Sequence, residues 1–86
     1  MITSTSLKSS SFLAKVVTAC DQALNSAYLN SADIGSAVVL NSKGKPALLA
    51  IFRTGYGMEF LDASDNDVSY SVVSALREYH GYKVFH

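Results

Sequence analysis

The chain has a single cysteine, Cys20, in 86 residues, which excludes an intramolecular disulfide and a thiolate metal cluster. An excess of either charge is missing too. Seven basic and seven acidic residues cancel, so there is no broad positive field to draw the protein to phosphates or anionic lipid, and any nucleic-acid site has to be local. Charged residues make up 16% of the chain, well below the roughly 25% of an average globular protein. Apolar residues make up 49%, which favours a packed core over disorder. No apolar run reaches the roughly 18 residues needed to span a bilayer. The segment VTAC, Val17 to Cys20, loosely fits a lipoprotein cleavage box, but Lys15 interrupts the apolar stretch that export would need. A soluble cytoplasmic protein is expected.

A chain of this length makes one domain and buries only about 60 to 65% of the surface its unfolded form exposes. That margin is thin, so an additional buried interface, such as that of a homodimer, is expected. Residues 1–10, rich in serine and threonine, read as a flexible N-terminal arm, and residues 11–86 as a single α+β domain. Phe12, Leu13, Val16, Val17, Cys20, Leu24, Ala27 and Tyr28 recur at helical spacing, with Ser10 or Ser11 as the N-cap. SADIG then breaks the pattern. SAVVLN and PALLAIFRT read as two strands of a hairpin turning at SKGK, and YGMEFLD as a third strand after a reversal at TGYG. The second strand is apolar on both faces, as a central strand is, or one covered by a partner chain. The segment 67–73 alternates like a strand, yet Val68, Val72, Leu76 and Tyr79 share one helical face. Ser64 with Asp67 forms an acidic variant of the capping box, and Gly81 suits the position past a helix end, so a helix is predicted there. YKVFH closes as a short strand. The predicted order is α-β-β-β-α-β, an antiparallel sheet with its helices on one face.

The motifs argue against most chemistry. GYG, Gly55 to Gly57, resembles part of the octapeptide of the RNA-recognition motif, but in that register the basic position falls on Thr54, the central stacking position on Met58 and the last aromatic on Leu61. A reversal needing glycine is the simpler account. The element order is similar to that of the double-stranded-RNA-binding domain, whose second helix opens with lysines; here Asp65, Asn66 and Asp67 stand in that place. DNDVSY lacks the glycine and closing glutamate of a calcium loop, and no metal or other cofactor is expected. Cys20 falls on an apolar stripe, where a buried thiol is inert, and His80 and His86 have no orienting partner defined by the sequence. No enzyme is expected.

What remains is binding. Tyr79, Tyr82 and Phe85 near the C-terminus are aromatic anchors of the kind that dominate protein interfaces, and Glu59, Asp62 and Asp65 form an acidic alternative that would steer a basic partner. The leading expectation is a small non-enzymatic protein-binding module, an accessory factor or inhibitor of a partner protein. The alternative is RNA or single-stranded DNA binding, with Lys43, Lys45 and Arg53 on phosphates and Tyr56 stacking on a base.

Overall fold

Ser9 starts the first helix. Its backbone is extended and its side-chain oxygen accepts a hydrogen bond from the Phe12 N–H at 3.3 Å, satisfying one of the donors that a helix start leaves free. The computed structural model describes residues 7–79. In it α1 runs Ser10–Leu29, β1 Ile34–Leu40, β2 Pro46–Arg53, β3 Gly57–Asp62 and α2 Ser69–Glu78. The sequence put the cap one or two residues too late, because three consecutive serines offer the same hydroxyl. Leu7, within the segment read as an arm, is half-buried and packs against the core. The strand expected over 82–86 and the helix stop at Gly81 lie outside the described residues.

The three strands form an antiparallel sheet in the order β1-β2-β3. Asn41 organises the first turn: its side-chain oxygen accepts from the backbone N–H groups of Lys43 and Lys45. TGYG makes the second turn, with Gly55 at φ +87. Alternate residues of β2 and β3, namely Leu48, Ala50, Phe52, Met58 and Phe60, point to the same side and are all buried. Against them α1 packs on β1 and β2, and α2 packs on β3. Phe60, Leu48, Leu76, Val16 and Val72 are the largest fully buried side chains, each contributing about 1.5–3 kcal/mol before the entropy of ordering is counted.

Segment 69–78 resolves as helix because Val72, Val73 and Leu76 make one buried stripe on the sheet. Its start differs from the predicted capping box. Val68 holds the N-cap position with no side-chain cap, and the Asp67 carboxylate instead accepts from the Ser69 N–H at 2.9 Å. Ser69 has a second task. Its hydroxyl oxygen accepts from the Phe60 N–H at 2.8 Å, while the Val68 N–H donates to the Phe60 carbonyl at 2.9 Å. The outer edge of β3 is thereby closed by the chain that leads into α2.

Gly35 lies inside β1, not in the break the sequence suggests at SADIG. A Cβ there would come within 2.0 Å of the Ala23 carbonyl oxygen and 2.6 Å of the Ala27 nitrogen. The row Ala19, Ala23 and Ala27 on α1 and a glycine on β1 let the helix backbone approach the strand closely.

Candidate functional site

Both helices cover one side of the sheet; on the other side no described element packs. That second face carries Ala47, Leu49, Ile51 and Arg53 of β2, flanked by Ile34, Ser36 and Val38 of β1 and by Gly57, Glu59 and Leu61 of β3. The strand register aligns Val38, Leu49 and Leu61 in one cross-strand row and Ser36, Ile51 and Glu59 in the next. Ile34 and Val38 are half exposed, at 50% and 51%, and Leu49, Ile51 and Leu61 are half-buried. This is the double-sided apolar character read in β2, now with one side assigned to the core and the other left open. A polar end bounds the face, where the Arg53 Nε donates to a Glu59 carboxylate oxygen at 3.2 Å, the one ion pair among the described residues. Its exposure limits it to about 0–1 kcal/mol.

The residues singled out from sequence scatter around this face. Tyr79 is the C-cap of α2 and packs, half-buried, against the core, with its N–H donating to the Ala75 and Leu76 carbonyls. Tyr82 and Phe85 lie outside the described residues. Glu59 is on the open face, engaged by Arg53. Asp65 is an exposed loop residue in the left-handed region, at φ 63. Asp62 points the other way from Glu59 and is buried, so its place is that of a loop organiser and not of a steering charge. One of its carboxylate oxygens accepts from the Ser64 and Asn66 N–H groups and the other from the Asn66 side chain. The Asn66 backbone N–H, foremost, holds the Asp62 carboxyl below the usual carboxylate range; burial opposes this, and the Ser64 N–H and Asn66 side chain add to the lowering.

A group with a depressed folded pKa stabilises the fold above its unfolded pKa of about 3.9, and that contribution is lost as pH falls through the folded value. Asp62→Asn is therefore expected to be less stable than the parent at pH 6. The gap between their urea midpoints should close as pH falls below about 4, through the lowered pKa of the folded-state carboxyl. A gap independent of pH would mean that the Asp62 charge contributes nothing to the loop.

The cations of the nucleic-acid alternative do not converge. Lys43 and Lys45 occupy the β1–β2 turn, whereas Arg53 and Tyr56 sit at the opposite end of β2, which at seven strand steps is about 23 Å away. Arg53 is already bonded to Glu59, and Tyr56 is 82% exposed. Cys20 is buried, and that burial, with a smaller push from the charge of Asp21, raises its thiol to about 12, leaving almost no thiolate near neutrality. Among the described residues no three His, Cys, Asp or Glu side chains gather to hold a metal ion, and no helix is long and apolar enough to cross a membrane.

Sequence reasoning did not foresee the open face as a site, although the clue lay in β2, where Leu49 and Ile51 alternate with Leu48, Ala50 and Phe52. No protein-family model matches the chain, and no curated protein or solved structure matches it either.

Proposed function

We propose that this chain is a small non-enzymatic protein-binding module, an accessory factor or inhibitor, that meets its partner through the open face of its sheet. The observation that carries the reading is the row Val38, Leu49 and Leu61, with Ile34 and Ile51 beside it: contiguous apolar side chains on which no described element packs. A contiguous apolar patch with a polar rim is the usual form of a protein contact, and here the Arg53–Glu59 pair supplies the rim. The occupant is a protein surface, apolar at its centre, that lays a sheet or helix across the three strands. A second copy of the chain is one such surface, because an opposed Arg53–Glu59 pair is complementary to itself.

Leu49→Lys tests this. The side chain sits on the open face, where a lysine can extend its amine to water without disturbing the helix-facing core. Affinity capture from the native host is expected to recover one stoichiometric protein with the parent chain and at least ten-fold less of it with the variant, about 1.4 kcal/mol or more. Sedimentation of the purified chain reports any self-association, which the same variant should weaken. Equal recovery by a folded Leu49→Lys chain would remove the open face from the argument. Recovery of RNA lost on Tyr56→Ala would favour the nucleic-acid reading instead, whose support is the exposed Tyr56 ring beside Arg53.

A further inference from the structure

The two edges of the sheet are not equivalent. On β3 the outward-facing groups of Phe60 are taken by Val68 and Ser69, and the Asp62 N–H donates to the Asn66 carbonyl. On β1 the Thr54 N–H donates to the Asp33 carbonyl, which makes these two a hydrogen-bonded pair. By the alternation of an antiparallel ladder, Gly35, Ala37 and Val39 then bond inward to β2, while Ile34, Ser36 and Val38 turn their N–H and C=O groups outward. No described backbone group takes them up. An edge strand left in this state is a template for another strand.

Beside that edge lies a groove of about 570 Å3 between α1 and β1. Ala14 and Ala19 of α1 and Val39 of β1 give it an apolar lining, Val38 borders it at the strand edge, and Lys15 is the one charged residue in it. The β1–β2 turn closes one end, and it carries the exposed Lys43 and Lys45 on either side of Gly44, which lines the groove. A strand added to β1 would direct alternate side chains under α1 into this groove, where it meets Lys15 and, at the turn end, Lys43 and Lys45; Asp33 lies at the other end of the edge.

We propose that the β1 edge and the α1 groove bind an extended acidic peptide segment of a partner by strand addition. Backbone pairing to Ile34, Ser36 and Val38 supplies the hold, small apolar side chains fill the groove, and carboxylates meet Lys15 and the turn lysines. Charge complementarity decides between occupants. A second copy pairing β1 to β1 offers a strand, Ile34–Leu40, with no charged side chain to meet Lys15, whereas an acidic segment neutralises it. The site shares Val38 with the open sheet face but uses its backbone edge and not its side chain, so a variant at Leu49 separates the two.

The test uses the full chain and three labelled seven-residue peptides: TVTETET, which carries its valine and both glutamates on one strand face, its lysine counterpart TVTKTKT, and TVTETET methylated on alternate backbone nitrogens. Fluorescence anisotropy is expected to show the glutamate peptide binding at least ten-fold tighter than the lysine peptide, and the methylated peptide losing at least ten-fold. Saturation with the glutamate peptide should slow hydrogen exchange at the Ser36 and Val38 amides at least ten-fold. Lys15→Glu, which changes an exposed helix residue, should reverse the preference between the two charged peptides, and Leu49→Lys should leave it unchanged. Three results would overturn the proposal: equal affinity for all three peptides, no binding by any, or binding of the glutamate peptide without protection of Ser36 and Val38. A peptide-free chain that dimerises with those two amides already protected would overturn it as well, assigning the edge to a second copy.

Discussion

Gly35→Ala is expected to cost about 3 kcal/mol or more, at the upper end of what overpacking does, since no side-chain movement can relieve it. The added methyl would meet the Ala23 carbonyl oxygen at 2.0 Å and the Ala27 nitrogen at 2.6 Å, both of them helix backbone. Either α1 lifts from β1 or the strand bends away, and each response opens the buried layer formed by Ala19, Ala23, Ala27 and Val39. A chain of 86 residues has about 4–13 kcal/mol of total stability, so the loss is a large share of it. Thermal unfolding should show a midpoint lower by about 12 °C or more. Removing the facing side chain with Ala23→Gly should not rescue the variant, because the colliding atom is the carbonyl oxygen. A Gly35→Ala midpoint within about 4 °C of the parent would mean that α1 and β1 are not in close contact.

The same residue explains where the sequence was legible and where it was not. SADIG reads as a break because glycine is usually a punctuation mark between elements. Here the reason for glycine lies in a helix that precedes it by some ten residues, and a local window has no access to that packing. The hairpin and third strand were legible because period-two alternation and the turns at SKGK and TGYG are local signals. The second helix was legible through Val72 and Leu76, but its start was not. Ser64 and Asp67 form a plausible box, yet the loop between β3 and α2 is organised by Asp62, whose hydrogen bonds reach Ser64 and Asn66. For the candidate site the sequence held half of the argument. Leu49 and Ile51 announced a second apolar face on β2, but which side the helices would choose depends on how α1 and α2 cross the sheet. The separation of the acidic group has a related reason. Glu59 and Asp62 are three apart in a strand, and an odd spacing sends them to opposite faces.

Phe60→Ala is expected to cost about 3–5 kcal/mol, the range for emptying a buried phenylalanine site. Phe60 has no exposed surface and is the largest of the fully buried side chains. Its ring occupies the layer between β3 and the Val72 and Leu76 stripe of α2, while its backbone is held by Val68 and Ser69. Two different attachments of α2 thus meet at one residue, and they can be separated. Ser69→Ala keeps the ring but leaves the Phe60 N–H without its hydroxyl acceptor, a loss of about 1–3 kcal/mol. Phe60→Leu keeps the hydrogen bonds and most of the apolar volume, and should fall well short of the alanine variant. Urea unfolding of the three variants ranks the terms. If Ser69→Ala were as damaging as Phe60→Ala, α2 would be held mainly by the polar closure of the β3 edge. The expected order, with Phe60→Ala much the worst, follows from the Phe60 ring being wholly buried, whereas its bonds to Ser69 are only part-buried, so water can compensate in part for a lost hydroxyl but cannot fill an apolar cavity at comparable free energy.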